Sequence, residues 1–145
     1  MAQVYVSSVL STSVDKVWAV IRDFNGLPNW TSFVVESRIE QGRPADQIGC
    51  VRAFRLTDGG AIREKLIALS DYDYSCSYAI LESPMAVENY VATIRLLPIT
   101  DGEGTFVEWS AEFDYTPETE AELVSHIGIN VFQAGINSLK EKLQG

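Results

Sequence analysis

The sequence predicts an α+β fold in which a seven-stranded antiparallel sheet curls around one long C-terminal helix. Two observations carry the prediction. Between residues 34 and 115, alternating runs rich in β-branched and aromatic residues are separated by short turn signals, and strands joined this way pair antiparallel. From residue 117 to 143, apolar residues recur at helical spacing, the only long pattern of that kind in the chain. An antiparallel sheet has one face to bury, and only this helix is long enough to cover it.

Taken in order, residues 3–10 read as a first strand, with Val4, Tyr5, Val6 and Val9 favouring extended backbone. Ser11, Thr12 and Ser13 are N-cap candidates for a short helix in which Val14, Val17, Trp18 and Ile21 recur, reaching about Asp23. Asn25-Gly26 stops it. Leu27-Pro28-Asn29-Trp30 opens a second short helix with proline in its first turn, ending near Phe33. Six strands follow over 34–41, 48–56, 61–70, 74–81, 87–99 and 106–115. Their turns are Gly42-Arg43-Pro44, Thr57-Asp58-Gly59-Gly60, Asp71-Tyr72-Asp73, Glu82-Ser83-Pro84-Met85 and Thr100-Asp101-Gly102-Glu103-Gly104.

The last helix starts at Thr116-Pro117-Glu118, with Glu118, Glu120 and Glu122 at its positive end, Lys140 and Lys142 in its last turn, and Gly145 beyond. At ~100° per residue, His126, Asn130, Gln133, Asn137 and Lys140 form a narrow polar stripe. Ile129, Phe132, Ile136, Leu139 and Leu143 flank it on one side, and Leu123, Val124, Ile127, Val131 and Ala134 on the other, predicting burial around most of the circumference. Gly128 and Gly135 face inward, seven residues apart. A mid-helix glycine costs about 1 kcal/mol relative to alanine, so either the helix packs very closely on the sheet or the glycines leave room for something else. A curled sheet gripping a helix in this way is the α+β helix-grip arrangement, and it encloses a cavity.

The chain has the size of one domain, residues 1–145. Its net charge of −9, with eleven scattered Lys and Arg, argues against nucleic acid or anionic membrane as main partners. No apolar run is long enough for stable membrane insertion, and Met1-Ala2-Gln3 has neither a basic segment nor a signal-like run, so the expected location is cytoplasmic. Cys50 and Cys76 lie in strand-like segments and read as buried free thiols. No cofactor or metal is expected. His126 is the only histidine and reads as solvent-facing, and neither glycine-rich turn precedes a helix as a phosphate loop must.

Alternation assigns the inward faces. Arg52, Phe54 and Leu56 share one face; so do Glu64, Leu66 and Ala68, then Cys76, Tyr78 and Ile80. Tyr90, Ala92 and Ile94 follow, then Trp109, Ala111 and Phe113. An apolar, aromatic wall with a few polar groups is how small-molecule pockets are built, and a filled core is the alternative. Ile127, Gly128, Val131 and Gly135 supply the helix side. The expected mouth lies among the 57–60 loop, the 82–87 loop with Met85, and the 27–33 helix, with Trp30 as a lid residue. Arg52 and Glu64 form either a structural ion pair or a grip on a ligand hydroxyl or carbonyl, with Glu64 also a candidate acid/base. Tyr78 and Tyr90 either pack or hydrogen-bond a ligand through their hydroxyls.

These elements and residues resemble the START/SRPBCC superfamily, the birch-pollen-allergen fold. The matches are Val14-Asp15-Lys16-Val17-Trp18, Leu27-Pro28-Asn29-Trp30, Gly49-Cys50-Val51-Arg52, Glu64-Lys65-Leu66, Tyr78-Ala79-Ile80, Asn89-Tyr90 and the C-terminal helix. The resemblance spans the chain and fits the polyketide cyclase/dehydrase-like branch, which contains binders, carriers and a few enzymes. Plant abscisic-acid receptors share the fold, and their site glutamate and tyrosine match Glu64 and Tyr90. Their hormone-gripping lysine falls at Val35, their gate has become Leu56-Thr57-Asp58-Gly59-Gly60, and their latch falls on Met85-Ala86-Val87. The resemblance therefore does not extend to that hormone, and it disfavours an anionic ligand. The implied function is binding of a small hydrophobic or aromatic, lipid- or polyketide-like molecule by a monomer or weak homodimer. The alternatives are a cyclase/dehydratase-like enzyme using Glu64 as acid/base, with Arg52 or Tyr90 polarising a carbonyl, and a partner-binding module without a small ligand.

Overall fold

The computed structural model describes residues 1–144, so Gly145, read as a helix stop, lies outside the described residues. The chain runs β1 (Ala2–Leu10), α1 (Val14–Ile21), α2 (Leu27–Trp30), β2 (Val34–Ile39), β3 (Val51–Leu56), β4 (Ala61–Ser70), β5 (Ser75–Glu82), β6 (Glu88–Pro98) and β7 (Thr105–Asp114). The C-terminal helix comprises a 3₁₀ turn (Pro117–Thr119), α3 (Glu120–Ser125), a π-helical segment (His126–Gln133) and α4 (Ala134–Gln144). All seven strands form one antiparallel sheet in the order β1-β7-β6-β5-β4-β3-β2. The two short helices carry the chain from the β1 edge to the β2 edge, and the C-terminal helix lies across the buried face. This is the predicted helix-grip architecture.

The departures from expectation have local causes. β3 begins at Val51 rather than Ile48, which is exposed. Alternation on β4 keeps Ile62, Glu64 and Leu66 inside, but a register shift between Leu66 and Ala68 turns Ala68 outward, and Leu69 becomes the half-buried residue opposite Cys76. The C-terminal helix is not α-helical throughout. The N–H of Ala134 bonds to the carbonyl of Ile129, five residues back, which is π-type closure. The wider winding moves Ile129 off the buried flank, leaving it 63 % exposed. The helix thus buries one side, through Leu123, Ile127, Phe132, Ile136 and Leu139, rather than most of its circumference.

The two inward glycines behave differently. A Cβ on Gly135 would sit 2.8 Å from the Trp109 ring, itself stacked on Phe132 at 4.6 Å and set against Trp30 at 6.3 Å. Gly135 is there for close packing. A Cβ on Gly128 would meet only Val4, at 3.5 Å. Replacing Gly135 with alanine is therefore expected to destabilise the fold by about 1–3 kcal/mol, because the overpacked ring has nowhere to move. Gly128→Ala is expected to be neutral or to gain up to about 1 kcal/mol from helix propensity. Urea denaturation of the two variants checks the contrast.

Candidate ligand-binding cavity

Between the buried face of the sheet and the π-helical segment lies a cavity of about 240 Å³. Three strands supply most of its wall: Arg52, Phe54 and Leu56 from β3, Ile62 and Glu64 from β4, Tyr78 and Ile80 from β5. Tyr90 of β6 and Trp109 of β7 continue it. Leu27, Thr31, Phe33 and Val34 enter from the α2–β2 side, and Val131 from the helix. The mouth opens among Thr57, Asp58, Ser83, Pro84, Met85, His126 and Asn130.

Irregular backbone helps to place these side chains. The β4–β5 register shifts at Arg63/Glu64, and the β6–β7 register shifts between Glu88 and Val91, where Asn89 takes a left-handed φ of 53°. Bulges re-aim neighbouring side chains. Here they flank Glu64 and Tyr90, two polar residues of an otherwise apolar wall. The Asn89 side chain donates to Asp114 at 2.9 Å, which holds the second bulge against β7.

Arg52 is the electrostatic centre. Although it is only 6 % exposed, each of its three nitrogens makes a bond: Nε and Nη2 both donate to Oε1 of Glu64, at 2.9 and 2.6 Å, and Nη1 donates to the Phe24 carbonyl at 3.0 Å. Its guanidinium lies 4.0 Å from the Phe24 ring centroid and 4.8 Å from that of Tyr78, within cation–π range. An arginine–carboxylate pair is often a parallel fork that occupies both oxygens. In this pair one oxygen takes both bonds.

Burial pushes the Glu64 carboxyl above the ordinary carboxylate range, and the adjacent Arg52 opposes that shift. Burial also raises the phenols of Tyr78 and Tyr90, so both stay protonated. The Tyr78 hydroxyl accepts a bond from Nε1 of Trp109 at 3.1 Å. Cys50 and Cys76 are buried and free; burial raises both thiols, Cys76 to about 11, far from thiolate chemistry.

Of the residues singled out from sequence, the structure brings Arg52, Phe54, Leu56, Glu64, Tyr78, Ile80, Met85, Tyr90, Trp109 and Val131 to the cavity. Trp30 is no lid: it is buried beneath α4 beside Trp109. Phe113 lies behind the wall, stacked on Tyr90 at 5.8 Å, and Ile127 is wholly buried in the core. Gly128 and Gly135 also stand away from the cavity, and Gly135 is closed off by Trp109. Sequence reasoning missed His126 and Asn130, which bond to each other at 3.1 Å at the mouth. Their shared polar stripe was the available signal, but its orientation depends on the π winding. Ile62 could have been found, since it alternates with Glu64.

A curved antiparallel sheet closed over a lined cavity by one C-terminal helix is a helix-grip fold. The chain belongs to the polyketide cyclase / dehydrase and lipid transport family, whose model matches residues 1–144. It is similar in structure to an uncharacterised protein from Bacillus thuringiensis (26 % identity, 99 % of this chain and 100 % of that one, TM-score 0.88). A protein from Thermobifida fusca is also similar (28 % identity, 98 % and 93 %, TM-score 0.87). Norcoclaurine synthase from Thalictrum flavum, solved with dopamine and hydroxybenzaldehyde, shares 16 % identity over 99 % and 86 % at a TM-score of 0.78. That last likeness is one of fold.

Removing one partner of a buried ion pair leaves the other charge uncompensated, whereas replacing both with apolar residues is often neutral. Arg52→Met alone is expected to lose about 3–5 kcal/mol at pH 8. Without the guanidinium the folded-state pKa of Glu64 rises further, so the folded state holds a proton that the unfolded chain has released. Stability of that variant should therefore fall as pH rises above the ordinary carboxylate value, and recover on acidification. Arg52→Met combined with Glu64→Leu should return to within about 1 kcal/mol of the parent. Urea denaturation at pH 5 and pH 8 tests all three statements.

Proposed function

We propose that this protein binds a small, mainly apolar, ring-containing molecule in the cavity between the sheet and the C-terminal helix. The observation that carries the reading is the unfilled space itself, about 240 Å³, in a fold that packs the far edge of the Trp109 indole tightly against Gly135. Protein interiors are close-packed. An open, mainly apolar space kept inside such a core forgoes packing contacts, and an occupant is the economical reason to keep it. An apolar cavity of about 150 Å³ takes benzene, so this one suits roughly one or two rings.

The catalytic alternative rests on Glu64 as acid/base. Its carboxylate is tied to Arg52 through one oxygen, and Tyr78 and Tyr90 are held protonated, an arrangement that favours holding a ligand over moving its protons. A partner-binding module would have no use for the open space. The same reading takes the protein as cytoplasmic and as a monomer or weak homodimer, with a net charge of −9 that keeps it off nucleic acid and anionic membranes. Among the described residues, no helix is long and apolar enough to cross a membrane.

Native mass spectrometry of gently purified protein, compared with its denatured mass, is expected to show a retained small molecule or an empty site that accepts added aromatic compounds. A ligand at about 100 times its Kd adds about 2.7 kcal/mol. For a chain of 145 residues that raises Tm by roughly 5–10 °C. Val131→Trp, which fills the space from the helix side, should abolish the shift. A flat response across a broad set of ring compounds would overturn the proposal.

A further inference from the structure

Hydrogen-bond accounting around the cavity deepens this reading and depends on it. Oε1 of Glu64 receives both bonds from Arg52; among the described residues Oε2 receives none, although Glu64 is only 6 % exposed. The Tyr90 hydroxyl, on a residue 3 % exposed, also has no partner among the described residues. The Tyr78 oxygen accepts from Trp109, but its own proton has no protein acceptor among them. Neither Glu64 Oε2 nor the Tyr90 hydroxyl is sealed off: the one fully enclosed side-chain polar atom without a partner among the described residues is Nε1 of Trp30, elsewhere in the core. Both residues line the cavity, so their free atoms face its space. Burial, Tyr78 and the Glu64 carboxylate all act on the Tyr90 phenol, which places the three groups in one electrostatic neighbourhood.

Besides the second N–H on each Nη of Arg52, the inventory is therefore one carboxylate oxygen that can only accept and two hydroxyls free to donate. Buried polar groups left unpaired are costly, so the best occupant supplies a donor for Oε2 and an acceptor for a tyrosine. A hydroxyl does both with one atom. An ether or ketone supplies only the acceptor. A carboxylate supplies no donor and brings a negative charge past Asp58 towards Glu64, while the positive charge of Arg52, the one guanidinium at the cavity among the described residues, is already balanced by Glu64. No lysine lines the cavity among the described residues.

We infer that the cavity selects a neutral, hydroxyl-bearing molecule of one or two rings, a phenol or a ring alcohol, through Glu64 Oε2, Tyr90 and Tyr78, and rejects carboxylates.

A series of near-equal shape separates this from the binding reading: 2-naphthol, 2-methoxynaphthalene, naphthalene and 2-naphthoate, measured by isothermal calorimetry at pH 7.5. The expected result is 2-naphthol bound at least about 10-fold more tightly than the methyl ether or the hydrocarbon, with 2-naphthoate weakest. Glu64→Gln should collapse the preference for 2-naphthol over its ether. Tyr90→Phe, which removes only an unbonded hydroxyl and keeps the stack on Phe113, should weaken 2-naphthol about 5-fold and leave naphthalene unchanged, and it serves if the Glu64 variant does not fold. If the four compounds bind alike, or the ether or the carboxylate matches 2-naphthol, the cavity binds but the hydroxyl selection is wrong. If none of the four binds, nor any other ring compound, both readings fall together.

Discussion

A buried guanidinium fixes much of this structure. Arg52 brings a positive charge inside the core, and the fold must meet it there. It does so from different parts of the chain: Glu64 from the neighbouring strand, the Phe24 carbonyl from the connection between α1 and α2, and the faces of Phe24 and Tyr78. The connection matters most. The helical insertion between β1 and β2 is tied to the sheet at Asp71, which accepts from Trp18 and Arg22, at Tyr74 and Tyr78 through Trp18 and Phe24, and at Arg52 through the Phe24 carbonyl. The insertion then supplies Leu27, Thr31 and Phe33 to the cavity, so Arg52 organises residues well beyond its own contacts.

A pair of this kind is weak evidence for stability, since apolar replacements of similar volume often serve as well. What it does give is orientation. Two donors on one carboxylate oxygen fix the Glu64 side chain while leaving the other oxygen without a partner among the described residues, which an apolar substitute cannot reproduce. Tyr78 is likewise held by Trp109 through its oxygen, which keeps its proton available. Both groups are anchored by one atom and free at another. Groups held in this way need no rearrangement to meet an occupant of the kind proposed.

The sheet and its inward faces were legible because period-two alternation survives wherever pairing is regular. Arg52 and Phe54, Tyr78 and Ile80, and Trp109 and Phe113 all point as alternation dictates. It failed at Ala68, where a bulge consumes one residue, and no turn residue announces that bulge. Trp30 was misplaced for a different reason. A proline-led four-residue helix has no periodicity from which to read a face, so its position beside Trp109 is set by tertiary packing alone. The glycines were recognisable as constrained, but sequence could not separate close approach from open space. Gly135 proved to be the first; Gly128 has ordinary clearance and accounts for neither.

The helix itself explains how one end of the core can be tight while the other stays open. In α4, Gly135 lets Trp109 approach the backbone, and Phe132, Trp109 and Trp30 fill the layer beneath it. Upstream, the buried residues Ile127 and Phe132 are five apart, a spacing that an α-helix would rotate out of line and that i→i+5 closure brings back onto one side. The same winding lifts Ile129 into solvent and carries His126 and Asn130 to the mouth, where an α-helical reading left only a solvent-facing stripe. The π segment keeps both core residues seated while it changes which face meets the sheet above them. The cavity sits beneath that segment. Close packing at Gly135 and the open space beneath His126, Asn130 and Val131 thus lie along one helix whose winding changes between them.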